Sequence, residues 1–101
     1  ESAGLMEVVY LRSFLNDIKK LRDDKVKKKI KAFIFEIKEA KSQDQIQNIK
    51  KLKGYQFAYR SKIGDYRLGI YKETNHIEFA RFVKRNDIYK LFHPKGIKKQ
   101  F

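Results

Sequence analysis

Apolar residues in the first half of the chain recur at the three- and four-residue intervals of an α-helix. The first stripe predicts a helix over about residues 12–22 with Ser13 as its N-cap; it consists of Leu11, Phe14, Leu15, Ile18 and Leu21. The second stripe follows the pair Asp23-Asp24 and predicts a helix to about residue 41; it consists of Val26, Ile30, Phe33, Ile34 and Ile37. Because the connection between them is only a few residues long, we expect the two helices to pack as an antiparallel hairpin.

The second half of the chain changes to the two-residue period of β-strands. In YQFAYRSKI, residues 55–63, apolar side chains alternate with polar and basic ones. Gly64-Asp65 then predicts a turn, YRLGIYK a returning strand, and HIEFARFV the third strand of a meander. The opening MEVVY is also expected to be a strand. Residues 41–54 are predicted to form a helical turn and a loop closed by Gly54, and NDIYKLF a short last helix stopped by Pro94.

These elements predict an α+β fold of order β-α-α-β-β-β with a short C-terminal helix. A helical hairpin should cover one face of a small, mostly antiparallel sheet and leave the other face free. The 101 residues fit one domain, which we place at residues 6–93. Residues 1–5 precede the only Met and are expected to be an expression remnant, and residues 94–101 a C-terminal tail.

The charge of the chain restricts its partners. Its 25 Lys and Arg outnumber its 12 Asp and Glu and give a formal charge of +13, which favours nucleic acid or an acidic protein as the partner. The sequence has no cysteine and two histidines, so neither a disulfide framework nor an ordinary zinc site is expected. We expect no metal or cofactor. Its apolar runs are far shorter than the roughly 20 residues that span a bilayer, and a cytoplasmic protein is expected.

The outer side of the second predicted helix is cationic. Such a face is commonly just solvated, but it would also suit RNA; its candidate RNA-binding residues are Lys27, Lys28, Lys31 and Lys38. Phe35 falls among these lysines at 100° per residue, where it either meets a partner or is covered by another segment.

Basic residues also gather around the Gly64-Asp65 turn. Arg60 and Lys62 share one side of a predicted strand, and Arg67 can reach the same side from the next. Like charges repel, so this grouping favours an anion site, although each cation could instead pair with a carboxylate or point into water. The segment that follows the meander adds three further candidates, which are Lys84, Arg85 and Tyr89. Tyr89 has two alternative roles, base stacking or packing in its apolar turn.

Other catalytic chemistries lack their motifs. GxxxxGK[ST] is absent, and neither Ser13 nor Ser61 stands near an evident base. These absences leave a metal-independent reaction that works through cationic side chains. Cleavage of RNA suits such a site because the 2′-hydroxyl of the RNA itself is the nucleophile.

Three segments together resemble the RelE/ParE superfamily of type II toxins from bacterial toxin-antitoxin systems. They are KKLKG (50–54), YRSKIGDYRLGIY (59–71) and RFVKRNDIYKLF (81–92). The resemblance covers nearly all of residues 6–92 and implies a toxin neutralised by a cognate antitoxin with an acidic segment. In the RelE branch it implies a ribosome-dependent endoribonuclease that cuts mRNA in the A site without metal.

The resemblance also implies roles for individual residues. Arg67 and Arg85 would clamp the phosphate, Arg60 and Lys62 would orient RNA or assist proton transfer, and Tyr89 would stack on or position the nucleotide. Lys84 stands where many relatives have histidine, and no general base is identified. Two alternatives therefore stay open, a ParE-like non-catalytic inhibitor of DNA gyrase and a simple RNA-binding module.

Overall fold

The computed structural model describes residues 7–40 and 48–92. In chain order the elements are β1 (Glu7–Tyr10), α1 (Arg12–Lys20), α2 (Asp24–Glu39), β2 (Ile49–Lys51), β3 (Ala58–Ile63), β4 (Tyr66–Glu73), β5 (His76–Lys84) and α3 (Ile88–Leu91). The expected remnant at 1–5, the expected tail at 94–101 and residues 41–47 of the segment predicted to form a helical turn and a loop lie outside the described residues. Within the described part of the chain, no helix is long and apolar enough to cross a membrane.

The five strands form one sheet in the order β1-β5-β4-β3-β2. β1 pairs parallel to β5, and the other neighbours pair antiparallel. The predicted α+β class and mostly antiparallel sheet are confirmed. Strand β2 is an addition, because residues 49–51 lie in the segment 41–54 that was predicted to form a helical turn and a loop. Its residues pair with Tyr59, Arg60 and Ser61 of β3, so the strand depends on pairing with β3 rather than on its own pattern.

The main core lies between the sheet and helices α1 and α2. On α2 the predicted stripe is buried at Val26, Ile30, Phe33 and Ile37, which is the spacing that puts four side chains on one helical face. The side chain of Asp23 caps this helix by accepting hydrogen bonds from the backbone N–H groups of Lys25 and Val26 at 3.0 and 3.2 Å. The sheet side of this core includes Leu68, Ile70, Ile77 and Phe79, each fully buried.

Helix α1 covers the edge of β5 where β1 ends. The hydroxyl of Ser13 donates to the carbonyl oxygen of Ala80, and the carboxylate of Asp17 accepts from the backbone N–H of Phe82 at 2.8 Å. These bonds occupy backbone groups of β5 that would otherwise be unpaired. The prediction of Ser13 as N-cap is wrong, because α1 has Leu11 at its N-cap with no side-chain hydrogen bond, and Ser13 serves the neighbouring strand instead.

The second face of the sheet is partly covered, which corrects the expectation of a free face. Helix α3 folds back onto it, and Ala58, Ala80, Ile88 and Phe92 form a small second core there. Leu52 and Tyr55, from the segment between β2 and β3, pack against the same cluster. The remaining open surface of this face is therefore bounded by α3 on one side and by residues 52–57 on the other.

Candidate nucleic-acid interface

The β3–β4 hairpin places three of the predicted cations on the second face of the sheet. Lys62 lies opposite Arg67 and Arg60 opposite Gly69 in the antiparallel register. Side chains alternate between faces along a strand, and Ala58 at the start of β3 belongs to the second core. Arg60, Lys62 and Arg67 consequently share the face onto which α3 folds.

Arg67 is tied to the hairpin turn more closely than the sequence suggested. Gly64 has φ +60° and Asp65 a negative φ, the pattern of a two-residue type II′ turn. Nη1 of Arg67 donates to the carbonyl oxygens of Gly64 at 3.1 Å and Tyr66 at 2.9 Å, and the residue is only 9% exposed. Its Nε and Nη2 have no hydrogen-bond partner among the described residues. The guanidinium therefore fixes the turn and keeps three N–H groups for another acceptor.

A hollow of about 510 Å³ opens beside Arg60 on this face. Leu52 and Phe92 contribute its apolar walls, and the other lining residues are Lys50, Lys51, Lys53, Tyr55, Arg60 and Tyr89. The hollow thus brings together Arg60 and Tyr89, which the sequence placed in one basin. Four cations and two tyrosine rings line it, with no carboxylate. We call it the cationic hollow.

Two pairs of like charges stand side by side on β2, β3 and β4. Lys50 lies directly opposite Arg60, and Lys62 lies directly opposite Arg67. Like charges at opposed positions destabilise a sheet, and no salt bridge within the described residues involves any of the four side chains. This arrangement is unfavourable in the free protein and becomes favourable when an anion lies between the cations.

Lys84 lies on the other face of the sheet, which corrects the expectation that it joins the basin. It pairs with Tyr66, and the ring of Tyr66 stacks on that of Phe82 in the main core at 5.0 Å. Strict alternation from Phe79 would have put Lys84 on the second face. A register shift opposite Gly69 and Ile70 inserts an extra residue into β5 and inverts the alternation from that point.

The surroundings of Lys84 and Arg85 differ from those of the cationic hollow. Lys84 lines a separate hollow of about 310 Å³ together with Lys29, Asp23 and Asp65, where carboxylates offset the cations. Arg85 is exposed in the turn after β5, and its backbone N–H donates to the carbonyl oxygen of Asp65 at 2.9 Å. Neither residue lines the cationic hollow.

The cations of α2 are also remote from the cationic hollow. Lys28, Lys31 and Lys38 are exposed and Lys27 is partly exposed, on the helix that covers the opposite face of the sheet. Phe35 among them is 65% exposed, so within the described residues nothing covers it. The described residues therefore present two cationic surfaces, one on each side of the sheet.

The pKa of His76 is perturbed by neighbouring carboxylates. His76 is the first residue of β5, and Lys84 is the last. Nε2 of its ring lies 3.1 Å from Glu78 and Nδ1 lies 3.2 Å from Glu7. Hydrogen bonds to Glu78 and then to Glu7 raise the pKa of His76 above its ordinary value of 6.5. Since Glu7 is on β1 and His76 on β5, the protonated ring links the two parallel strands.

Sequence reasoning missed the contribution of β2 and the loop after it. Lys50, Lys51, Lys53 and Tyr55 line the cationic hollow, but their run of charge carried no strand signal that would have paired it with β3. Arg81 was also missed. It forms a two-pronged ion pair with Asp17 at 2.8 and 2.9 Å and donates to the carbonyl oxygen of Leu91 at 3.2 Å, so it holds the end of α3 against the sheet.

No protein-family profile matches the chain, but the chain is similar over most of its length to a curated toxin and to a solved toxin structure. Toxin RelE3 of Methanocaldococcus jannaschii is 35% identical over 88 residues, which cover 86% of this chain and 99% of the relative. A chain in the crystal structure of a RelB-RelE antitoxin-toxin complex from Methanococcus jannaschii superposes with a TM-score of 0.64 at 31% identity, covering 84% of this chain and 99% of that one.

Proposed function

Because this chain belongs to the RelE family of toxins, we propose that it is a ribosome-dependent endoribonuclease that cuts mRNA in the A site, and that a cognate antitoxin holds it inactive. The two relatives support the toxin and its antitoxin partner, since one is named a toxin and the other was crystallised in an antitoxin-toxin complex.

One observation carries the proposal: the opposed like-charge pair Lys50/Arg60 lines a hollow with two tyrosines and no carboxylate. The second such pair, Lys62/Arg67, lies on the same face of the sheet outside the lining of that hollow. A polyanion that threads between these cations relieves their repulsion. Guanidinium groups grip phosphate oxygens in a two-pronged manner, and exposed tyrosine rings stack on unpaired bases. Single-stranded RNA offers both groups at the spacing of one nucleotide.

The reaction needs little from the protein beyond alignment and charge. The 2′-oxygen of the substrate attacks the adjacent phosphorus, the bond to the 5′-oxygen breaks, and the products are a 2′,3′-cyclic phosphate and a 5′-hydroxyl. Arg60 and the free Nε and Nη2 groups of Arg67 are proposed to stabilise the added negative charge on phosphorus. This role for side-chain cations is what makes the proposed reaction independent of a metal ion.

Two protons must move during this reaction. The 2′-hydroxyl loses one and the leaving 5′-oxygen gains one. Lys62 is proposed to donate an ammonium proton to the leaving 5′-oxygen, the 2′-hydroxyl is proposed to lose its proton to water, and Tyr89 is proposed to position the nucleobase. Arg85 and Lys84 are proposed to contact RNA or ribosome from outside the cationic hollow.

Tyr89 gives a matched test of the site. Tyr89 and Phe35 are both 65% exposed, so replacing either with alanine should change the free energy of unfolding by no more than about 0.5 kcal/mol. In cell-free translation with primer extension, Tyr89→Ala should reduce cuts within translated codons about 10-fold or more, as expected for loss of a base-stacking contact of about 1–3 kcal/mol. Tyr89→Phe should retain most of this activity.

The outcome for the wild-type chain decides between branches of the superfamily. Intact mRNA together with stalled DNA gyrase would contradict the nuclease and favour the gyrase inhibitor. RNA binding without cuts or toxicity would favour a simple RNA-binding module. Harmless expression in cells that lack the antitoxin would contradict every toxin reading.

The α2 surface is proposed to dock ribosomal RNA through Lys27, Lys28, Lys31 and Lys38. Because these lysines lie on the opposite side of the sheet from the cationic hollow, their contribution should be separable from the chemistry. Replacing Lys28 and Lys31 with glutamine should weaken ribosome binding and its salt dependence. Phe35→Ala tests whether the exposed ring shares this contact.

A further inference from the structure

A second hollow adjoins the cationic hollow and shares a wall with it. The second hollow has a volume of about 600 Å³ and extends past Gly54 to Gln56. The shared wall consists of Lys51, Leu52, Lys53 and Tyr55. The two hollows are therefore neighbours, and we call them together the trough, which extends from Arg60 to Gln56.

The shared wall is a defined turn. The backbone N–H of Tyr55 donates to the carbonyl oxygen of Leu52 at 3.3 Å, and that of Leu52 donates to the carbonyl oxygen of Ala58 at 2.8 Å. Gly54 occupies the third position of this turn with φ +89°, the geometry of a type II turn. The ring of Tyr55 packs against the second core. Lys53 and Tyr55 are thus presented from an anchored loop.

The charge of the trough identifies its occupant. Residues from both hollows include Lys50, Lys51, Lys53 and Arg60 but no carboxylate. By contrast, the hollow beside Lys84 includes Asp23 and Asp65, which offset its lysines. Uncompensated cations beside an aromatic ring and a side-chain amide match a chain of phosphates and bases.

We propose that the second hollow is a subsite for the nucleotide next to the one that reacts, so that the trough holds at least two consecutive nucleotides of single-stranded RNA. Lys53 binds the phosphate that joins them, the adjacent base rests against Tyr55, and the amide of Gln56 lies in the second hollow beside that base. This subsite rests on the proposed function, because the reacting nucleotide is placed in the cationic hollow. Under this proposal, the loop between β2 and β3 binds substrate in addition to the residues of the cationic hollow.

The test uses the intact chain and needs no ribosome. Fluorescence anisotropy would measure binding of a labelled 2′-O-methyl RNA hexanucleotide, which cannot be cleaved, between 50 and 200 mM salt. Lys53→Gln should weaken binding by about 3- to 10-fold and lower the salt slope by about 0.7, the value for one phosphate contact on a single strand. Lys19→Gln and Lys20→Gln remove the same charge from exposed positions of α1 and should leave the slope unchanged.

Several outcomes would overturn the subsite. Equal losses in the α1 controls would show that net charge alone drives binding, and unchanged binding in the Lys53 variant would exclude the loop between β2 and β3 as a contact. Equal affinity for a poly-glutamate peptide of the same charge, lost in the same variant, would assign the trough to an acidic protein segment. If the Lys53 variant behaves as expected but the wild-type chain leaves translated mRNA intact, the proposed cleavage fails while RNA binding in the trough stands.

Discussion

The ring of Phe92 lies so close to Gly69 that a side chain at Gly69 would not fit. A Cβ added there would come within 2.7 Å of two ring carbons, whereas carbon atoms in contact ordinarily stay 3.5–4.0 Å apart. Phe92 follows α3 and is buried in the second core. Because Gly69 has no side chain, α3 can pack against β4, and Tyr89 is positioned with it.

Gly69→Ala should displace α3 and lower the free energy of unfolding by about 1–3 kcal/mol, as overpacking does elsewhere. Chemical denaturation would measure this loss, and RNA cleavage should fall because Tyr89 moves. Combining Gly69→Ala with Phe92→Ala removes the clash, so the double variant should be more stable than the sum of the single effects predicts, by about 0.5–3 kcal/mol. Additive effects would show that the strain lies elsewhere.

Arg60 and Arg67 should respond oppositely to replacement, although both are arginines on one face of the hairpin. Arg67→Gln removes the bonds from Nη1 to the carbonyl oxygens of Gly64 and Tyr66 and should lower the free energy of unfolding by about 1–3 kcal/mol. Arg60→Gln removes a charge directly opposite Lys50 and should leave stability unchanged or slightly raised. Urea titration checks both, and cleavage should be reduced in both.

A destabilised Arg60→Gln variant would contradict the view that repulsion at this site is tolerated for anion binding. Full stability of Arg67→Gln would contradict its role in the turn. The pair therefore separates a cation that serves binding alone from one that serves both binding and folding.

His76 should make stability depend on pH in a defined direction. Its folded pKa lies above the ordinary 6.5 because the imidazolium bonds to Glu78 and Glu7, so its stabilising contribution is fully present below about pH 6.5 and is lost as pH rises through the folded pKa. Because the side chain is 36% exposed, we expect at most about 1 kcal/mol.

Unfolding free energies of the wild type and His76→Gln, measured from pH 5.5 to 8.5, would check this contribution. The difference between the two proteins should be largest at the acidic end and shrink toward the alkaline end. A difference that grows with pH would mean that neutral His76 is the stabilising form.

Two buried or half-buried serines should differ in the sign of their alanine effects. Ser61 is 1% exposed, and its Oγ has no hydrogen-bond partner in the described structure, so Ser61→Ala removes an unsatisfied polar group and should raise stability by up to about 1 kcal/mol. The hydroxyl of Ser13 donates to Ala80, and Ser13→Ala should cost about 0.5–1.5 kcal/mol. Thermal unfolding of both variants would measure the contrast, and a costly Ser61→Ala would indicate a bridging water.

Local periodicity was enough to predict the elements that bury a regular stripe. The spacing of Val26, Ile30, Phe33 and Ile37 predicted α2 and the face it buries, and alternation along β3 predicted that Arg60 and Lys62 share a side. Both follow from the geometry of a single element, in which the residue interval alone sets the direction of a side chain. The roles of these cations in RNA cleavage remain predictions.

Phe79 and Phe82 do not follow the alternation that a regular strand predicts. They stand three residues apart in a strand, yet both are buried in the main core, because the irregularity opposite Gly69 and Ile70 adds a residue to β5. That shift places Lys84 on the face opposite Arg60. Nothing in the residues near Lys84 encodes it, since a bulge is defined by the pairing of two strands.

The sequence by itself determined the α+β class, the order of helices and meander, the strong positive charge and the likeness to a toxin family, because each depends on composition, local period or motif spacing. Only the tertiary structure decided that β2 joins the sheet, that α3 closes over Gly69, that Arg67 turns inward and that Lys50, Lys53 and Tyr55 meet Arg60 in one trough. These depend on contacts between different elements or with a formed turn, which the period of a single element does not record, and their energy exists only once the strands have paired.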